Sequence, residues 1–404
     1  MICPVLYVTE EVHMKPTELL QEIRKMRFEE AYGQWTERHL TQGEAARLLG
    51  VCDRTFRRYI DRYNDNGLEG LMDLRLSQVS HRRAPVDEVM ALTDKYRRRH
   101  LGWNARHFYS WYKREGGIRG YTWVKQRLQE AGLVKKSVGK GKHRKKREAM
   151  PLPGMMIHQD GSSHEWVAGH RWDLIVTMDD ATNEHYDMVF VDEEGTASSF
   201  QGVKKVIESK GLFCSFYSDR ASHYWITPKV GGKVDKTHPT QFGRALKQLG
   251  IEMIAAYSPE ARGRSERAFA THQERLPKEL FLAGITDMER ANAYLEQWYR
   301  PAFNKEFSRK AAAEGTAFVP FWGDNLDDIL CDQFERTVGN DNCVQFEGLK
   351  LQIPPDPYRM HYVKVRICVH RYPDGRLAIF HGPRKLAEYD AKGAIRTEKV
   401  KKAA

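Results

Sequence analysis

From residue 155 to residue 299 the sequence alternates short apolar runs with longer amphipathic segments, and this alternation restricts the chain to few folds. It predicts strands over Met155–Asp160, Leu174–Asp179, Glu184–Val191, Leu212–Ser218 and Ile251–Ala256. It predicts helices over Ala197–Ser209, Pro239–Leu249, Gly263–Leu282 and Asp287–Tyr299. Three neighbouring strands followed by alternating helices and strands are typical of a mixed sheet with helices on its faces.

Three acids occupy the ends of these predicted elements. Asp160 ends the first strand, Asp219 follows the fourth, and Glu266 lies in the first turns of the third helix. Carboxylates brought to one edge of a sheet repel each other unless cations bind between them, and Mg²⁺ prefers oxygen ligands. Asp179 and Asp180 at another strand end are competing ligands, but the Ala-Thr-Asn that follows them is typical of a turn.

A pair of Mg²⁺ ions would give these acids a chemical role. Two ions held a few Å apart can activate a nucleophile and neutralise both the attacking and the leaving oxygen of a phosphodiester. In that arrangement Asp160 bridges both ions, Asp219 completes one side and Glu266 the other. We therefore predict a site for two Mg²⁺ ions, with Mn²⁺ as a substitute.

Charge and cysteine content limit the partners and the compartment. The chain has 404 residues, which predicts several cores, and its 65 Lys and Arg against 54 Asp and Glu give a net charge of +11. Such an excess favours polyanionic partners. The 6 cysteines form no CxxC pair, so neither a disulfide framework nor a structural zinc site is indicated. The first residues lack the basic flank of a signal peptide and no run is long enough to span a membrane, which indicates a cytosolic protein.

Residues 40–63 predict two short helices around a glycine. Thr41 and Glu44 form a capping box at the start of the first helix, Gly50 ends it, and Asp53 is expected to cap the second helix. The second helix is apolar on one side and basic elsewhere, which is the layout of a helix-turn-helix. A helical hairpin with a solvated arginine face is the alternative. The residues predicted to contact DNA are Arg54, Thr55, Arg57, Arg58 and Arg62.

A second helical module and a basic linker come next. Helices are predicted over Val86–Arg98, Ala105–Arg114 and Tyr121–Ala131. Lys125 and Arg127 of the last helix are further candidates for DNA contact, whereas the tryptophans of this module are expected to be core anchors. Residues 135–147 hold eight Lys or Arg and no acid, so they cannot form a core. In this linker, for which plain solvation is the alternative, the predicted phosphate contacts are Lys142, Arg144, Lys145, Lys146 and Arg147.

Short strands dominate the remaining sequence. They are predicted over Phe334–Val338, Cys343–Phe346, Leu349–Ile353, Tyr362–His370, Leu377–His381 and Lys385–Tyr389, which suggests a small β-barrel. The predicted fold is therefore multidomain α+β. Its parts are a helix-turn-helix domain (1–79), a second helical DNA-binding module (80–134), a basic linker (135–150), a catalytic α/β domain (151–310), and a β-barrel with a basic tail (311–404).

The motifs around the three acids carry a family resemblance. His-Gln-Asp160-Gly, Tyr-Ser-Asp219-Arg and Ser-Pro259-x-x-x-Gly263-x-x-Glu266-Arg resemble the three motifs of DDE transposases and retroviral-type integrases, whose catalytic core has an RNase H-like fold. With the flanking domains, the chain is similar to bacterial insertion-sequence transposases, in particular the ISNCY group. Two departures stand out: Arg220 replaces the usual Asn, and the Trp225–Thr237 insertion lengthens the stretch before Glu266.

The resemblance implies a function. Asp160, Asp219 and Glu266 would bind two Mg²⁺, and the chain would bind terminal inverted repeats, cleave DNA 3′ ends and transfer them into target DNA. Arg262 and Arg264, next to Glu266, are expected to contact the DNA backbone. The partners would be double-stranded DNA and further copies of the chain, in a dimer or larger assembly at the bacterial nucleoid. A phage-type integrase or nuclease, and a DNA-binding regulator without catalysis, are the alternatives.

Overall fold

The computed structural model describes residues 16–72, 84–136, 148–229, 232–257, 263–323 and 325–396. Contacts divide the chain into two compact units, Met1–Leu92 and Thr93–Ala404. This boundary falls inside the predicted second helical module, and the five-part division stays a prediction. The basic residues at positions 142, 144, 145, 146, 147 and 262, for which DNA contacts are predicted, lie outside the described residues.

The first unit contains the predicted helix-turn-helix. Its helices are α1 (Pro16–Thr36), α2 (Gln42–Leu48) and α3 (Asp53–Asn66), with a short 3₁₀ turn at Gly67–Leu71. The predicted capping box is present, because Thr41 N donates to Glu44 Oε2 at 2.8 Å and Thr41 Oγ1 accepts from Glu44 N. The prediction that Asp53 caps α3 is wrong: Cys52 is the N-cap and Asp53 is already helical. The core of this unit is formed by Phe28, Ala31, Ala45, Ala46, Phe56 and Ile60.

Three helices form the second helical region. They are α4 (Val86–Arg99), α5 (Ala105–Arg114) and α6 (Tyr121–Glu130), as predicted within two residues. Trp103 is buried and its ring stacks on His107 at 3.7 Å, so this tryptophan is a core anchor as expected.

A five-stranded sheet forms the centre of the second unit. Its strands are β1 (Met156–Val167), β2 (His170–Asp179), β3 (His185–Val191), β4 (Ser215–Ser218) and β5 (Glu252–Ala255), in the order β3-β2-β1-β4-β5. β1, β2 and β3 are antiparallel neighbours, whereas β4 pairs in parallel with β1 and with β5. This order and these directions confirm the predicted RNase H-like mixed sheet.

Helices cover both faces of that sheet. On one face, α7 (Thr196–Lys210) and α8 (Gln241–Gln248) share a core with Ile157 and Phe216. On the other face, α9 (Ser265–Leu282), α10 (Met288–Tyr294), a π-helical turn (Leu295–Tyr299) and α11 (Arg300–Phe307) share a core with Trp166 and Val176. Burial on both faces accounts for the nearly continuous apolar runs in the central strands.

The prediction that β1 ends at Asp160 is wrong. β1 continues to Val167 because its polar residues pair in antiparallel register with β2 as far as the turn before His170. One face of this extension remains covered, since Trp166 is fully buried against the α9 side. Asp160 therefore lies within a strand and not at its end.

The second helical region is joined to α9 and α11 mainly through charged side chains. His107 Nε2 and Glu279 Oε1 are 2.9 Å apart, and both side chains are fully buried. Arg114 and the Tyr294 hydroxyl also contact the Glu279 carboxylate, at 3.3 and 2.9 Å. A second group of contacts joins Arg106, Ser110 and Arg275 to Glu306.

Six strands form the C-terminal part. They are β6 (Asp332–Thr337), β7 (Cys343–Phe346), β8 (Leu349–Gln352), β9 (Arg366–Arg371), β10 (Leu377–His381) and β11 (Arg384–Tyr389), close to the predicted ranges. They pair as a four-stranded antiparallel sheet, β11-β10-β9-β6, and a β7–β8 hairpin, which share one apolar core. Closure into a barrel stays a prediction.

Candidate functional site

Asp160 and Asp219 occupy equivalent positions on neighbouring parallel strands. The ladder between β1 and β4 ends with the pair His158 and Tyr217. Continuing this register by two residues brings Asp160 opposite Asp219, which directly follows β4. Because adjacent strands lie about 4.8 Å apart, the two chain segments lie side by side up to two residues before each acid.

Helix α9 crosses the face of the sheet to which Asp160 belongs. Side chains alternate along a strand, so Asp160 shares its face with His158 and Ser162. Gln273 of α9 donates a hydrogen bond from Nε2 to Ser162 Oγ at 2.9 Å. The helix therefore lies over the segment of β1 that carries Asp160.

Asp180 ties the start of α9 to the same segment of β1. Its buried carboxylate accepts bonds from His158 Nε2 and Met150 N, both at 2.7 Å, and forms an ion pair with Arg264. Burial acts to raise the pKa of Asp180, but the bonds from His158, Met150 and Arg264 outweigh it and hold the pKa below its ordinary value. Asp180 is thus a charged anchor for the residue that precedes α9, while Asp179 has the predicted turn role, accepting from Thr182 N at 2.8 Å.

Glu266 lies between these two anchor points. It is in the first turn of α9. Arg264, just before the helix, contacts Asp180, which is bonded to His158, and Gln273, further along the helix, is bonded to Ser162. Seven residues make about two helical turns, so Glu266 and Gln273 share one face of the helix. The geometry puts Glu266 on the helix that crosses Asp160, in an exposed position.

The three predicted ligands are nevertheless not gathered into one cluster. Among the side chains that the structure describes, no group of three or more His, Cys, Asp or Glu is arranged to hold a metal ion. Asp160 and Asp219 each follow the last β1–β4 pair by two residues, and Glu266 is on the helix that crosses β1. The donor set consists of carboxylate oxygens alone, which is the chemistry that suits Mg²⁺ or Mn²⁺.

Arg220, which departs from the family motif, anchors the inserted loop. Its guanidinium donates to Gly232 O at 2.9 Å and lies over the Tyr257 ring, 5.3 Å from the ring centroid. The preceding residue, Asp219, accepts a bond from Ala221 N at 2.9 Å, which closes the turn that follows β4. Arg220 therefore links the Asp219 turn to the Trp225–Thr237 insertion.

Sequence reasoning missed a fourth acid near Asp160. A Cβ atom on Gly161 would lie 2.1 Å from Glu194 Oε2, so the glycine leaves room for this carboxylate. Glu194 Oε1 is also 3.5 Å from His223 Nε2. Gly161 alternates with Asp160, so Glu194 approaches the strand from the α7 face. The one available signal in the sequence is the glycine that directly follows Asp160.

The predicted DNA-contacting residues have different surroundings. The four arginines of α3 are exposed, Thr55 is half-buried, and Lys125 and Arg127 of α6 are also half-buried. Arg127 is paired with Glu130 at 2.7 Å. Arg264 is mostly buried against Asp180, and it lines a cavity of about 190 Å³ together with Arg267 and Arg309.

Comparisons with known proteins identify two related sequences and one domain model. The model of the winged helix-turn-helix matches residues 33–88. The y4bF protein of Sinorhizobium fredii, a provisionally named transposase, is 29% identical over 350 residues, which cover 84% of this chain and 75% of the relative. The transposase for insertion sequence IS1202 of Streptococcus pneumoniae is 29% identical over 225 residues, which cover 55% of this chain and 48% of that protein.

Solved structures of retroviral integrases are distant matches. The HTLV-2 integrase catalytic core domain in complex with magnesium is 13% identical, with a TM-score of 0.28 over 35% of this chain and 82% of that one. A simian T-cell lymphotropic virus intasome in complex with the PP2A regulatory subunit B56 gamma is 12% identical, with a TM-score of 0.32 over 64% of this chain and 84% of that one. At these TM-scores the fold assignment depends on the strand order and directions described above.

Proposed function

This chain is a relative of the insertion-sequence transposases, and we propose that it is itself a DNA transposase that cleaves and joins DNA with a divalent metal. One observation carries the proposal: β1 and β4 pair in parallel as far as His158 and Tyr217, two residues before Asp160 and Asp219, and α9, which bears Glu266, lies over β1. The relatives that are named as transposases match this chain over most of its length or about half of it. Membership of the ISNCY group is part of the proposal.

The three acids would hold the metal. The carboxylates of Asp160, Asp219 and Glu266 would together hold two Mg²⁺ ions, with Mn²⁺ as a substitute. Bound there, the ions would lower the pKa of an attacking water and stabilise charge on the phosphodiester oxygens. We also propose that Glu266 joins the two aspartates at the ions. Carboxylate oxygens suit these ions, although the described side chains do not form a closed cluster.

Two successive displacements at phosphorus would follow. In the first, water attacks the phosphodiester at the element end, the bond from phosphorus to the 3′ oxygen breaks, and that oxygen takes a proton to become a free 3′-hydroxyl. In the second, this hydroxyl loses its proton and attacks a target phosphodiester, which releases a target 3′-hydroxyl. Only the attacking oxygen differs, so the same carboxylates can serve both steps.

DNA would be bound mainly outside the acid site. The exposed arginines of α3 would read the terminal inverted repeats, as in other helix-turn-helix proteins. The half-buried Lys125 and Arg127, the linker residues 142–147, and Arg262 with Arg264 would contact the phosphate backbone. The three arginines that line the cavity beside α9, Arg264, Arg267 and Arg309, favour the binding of an anionic ligand there.

We further propose that the chain acts as a dimer or larger assembly in the bacterial cytoplasm, at the nucleoid, because two element ends must be joined together. Of the described helices, none has the length and apolar character needed to cross a bilayer.

Replacement of Asp160 by Asn tests this function. In Asp160→Asn the carboxylate charge is lost with little change in volume, so DNA binding is retained while cleavage of an end-containing duplex falls below detection. Asp192→Asn, in the exposed loop after β3, is the matched control and keeps full cleavage. Cleavage by Asp160→Asn at the normal rate would contradict the site, and wild-type protein that binds the ends without any cleavage would favour the regulator.

A further inference from the structure

A buried polar network includes the residue before Asp160 and a residue of the turn that follows Asp219. The Tyr224 hydroxyl donates to Gln159 Oε1 at 2.9 Å and accepts from Ser199 Oγ at 3.1 Å. Gln159 Nε2 in turn donates to Thr177 Oγ1 at 2.8 Å. All four residues are at most 1% exposed, so the network connects β1, β2, α7 and the turn after Asp219 without solvent.

The network requires helix α7 to approach the sheet closely. A Cβ atom on Gly202 would lie 2.2 Å from Gln159 Nε2 and 2.4 Å from Thr177 Oγ1. Only glycine leaves space for these groups at that position. Among the described side chains with unpaired buried polar atoms, none belongs to the network, so its hydrogen bonds offset the cost of burying it.

Both ends of the Tyr224–Gln159 bond are close in sequence to a proposed ligand. Gln159 immediately precedes Asp160 in β1. Tyr224 ends the turn that begins at Asp219, where Tyr224 N donates to Ala221 O at 3.0 Å. The bond therefore spans from the strand that carries one acid to the turn that carries the other.

The charges around Tyr224 fix the direction of this bond. Burial raises the pKa of Tyr224 well above its ordinary value, and the nearby carboxylates of Glu194, Asp219 and Asp160 raise it further. The hydroxyl therefore stays protonated at neutral pH and can donate to Gln159. A phenylalanine would fill the same volume but could not make the bond.

We propose that Tyr224 is a positioning residue whose hydrogen bond to Gln159 sets the spacing between the carboxylates of Asp160 and Asp219. The inference rests on the proposed function, because the spacing matters for binding a divalent ion. Loss of a group that hydrogen-bonds directly to a metal ligand costs about 10- to 100-fold in metal affinity or activity, and the Tyr224–Gln159 bond acts one step further away, through the backbone.

Tyr224→Phe in the full-length chain tests the inference with Mn²⁺ as the probe. We expect Mn²⁺ affinity, measured without DNA by electron paramagnetic resonance, to fall about tenfold. The Mg²⁺ concentration for half-maximal end cleavage should rise by a similar factor, while binding to end DNA is unchanged. Tyr389→Phe is the matched control, because it removes a buried hydroxyl that donates to Gln352 O at 2.7 Å in the C-terminal part and should leave Mn²⁺ affinity unchanged.

A double-mutant cycle separates positioning from general destabilisation. Gln159→Leu removes the bond to Tyr224 and also the bond to Thr177, so it should weaken Mn²⁺ binding at least as much as Tyr224→Phe. Adding Tyr224→Phe to Gln159→Leu should have little further effect, because the two variants share the loss of the Tyr224–Gln159 bond. If Tyr224→Phe keeps the Mn²⁺ affinity of the wild type while Asp160→Asn loses it, the inference is overturned and the proposed function stands. Mn²⁺ affinity that is equal in the wild type and in Asp160→Asn would overturn the proposed function and the inference with it.

Discussion

The two helical regions of this chain are of similar size, but the contacts that stabilise them differ. The helix-turn-helix encloses its own apolar core, to which Phe28 and Phe56 contribute. The second region also buries apolar residues, such as Phe108 and Leu128, but in addition its His107 and Arg114 contact the Glu279 carboxylate of α9. Both regions therefore have an apolar core, and the second is also joined by buried polar contacts to the helix that carries Glu266.

The protonation of the buried pair follows from its surroundings. Burial lowers the pKa of His107, and the bond to Glu279 only partly opposes this. Burial acts to raise the pKa of Glu279, but His107 and Arg114 lower it below its ordinary value. At neutral pH a neutral imidazole therefore donates to an ionised carboxylate, whose charge is balanced by Arg114.

The largest expected effect comes from removing the shared carboxylate. Glu279→Ala leaves the buried His107 and the Tyr294 hydroxyl without their acceptor, and each unsatisfied buried donor costs about 2 kcal/mol. Hydrogen exchange of the full-length chain should accelerate across residues 93–134 and α9, and remain unchanged in residues 16–72. Glu289→Ala, on the exposed surface of α10, is the control. Equal exchange in the two variants would mean that the charges do not hold this region.

Lowering the pH should reduce the stability of the second unit more than that of the first. Burial lowers the pKa of His185 to about 4, so between about pH 6.5 and 4 the unfolded chain binds a proton that the folded chain does not. The stability of the second unit is therefore present above that window and falls through it, by about 3 kcal/mol for His185 alone. No buried histidine is found among the described residues of the first unit. Urea unfolding that shows no greater acid sensitivity in residues 93–396 would contradict this contrast.

The smallest effect is expected on the exposed face of α3. Arg58→Ala should weaken binding to end DNA about tenfold and reduce its salt dependence by about one ion, since one phosphate or base contact is lost while folding is unaffected. Arg57→Ala should behave alike. Arg27→Ala, an exposed arginine of α1, is the charge-matched control for fluorescence anisotropy. Unchanged affinity at moderate salt would remove α3 from the recognition surface.

The sequence predicted the elements better than the connections between them. The periodic pattern placed β7 at Cys343–Phe346 and α5 at Ala105–Arg114, because their apolar residues recur at the spacing of a strand and of a helix, respectively. It ended β1 too early, because the polar residues after Asp160 show no apolar alternation although β2 pairs with them.

The candidate site was only partly accessible to such reasoning. Asp160, Asp219 and Glu266 were recognised from local motifs, and the strand register and the path of α9 agree with their being near one another. Tyr224 and Glu194 were missed, since their importance arises from contacts with Gln159 and Gly161 on another strand. In the sequence Glu279 cannot be told from a surface acid, and only the structure shows that α5 covers it.

The extension of β1 beyond Asp160 has a consequence for which changes in length the chain can tolerate. Asp160 is held by β2 on one side and faces the Asp219 position on the other, so inserting one residue into β1 would turn its carboxylate towards α7. The stretch between Asp219 and Glu266 already contains the Trp225–Thr237 insertion, which Arg220 fastens to the rest of the domain. Relatives should therefore differ in length after Asp219 and keep constant length from Met156 to Ser162.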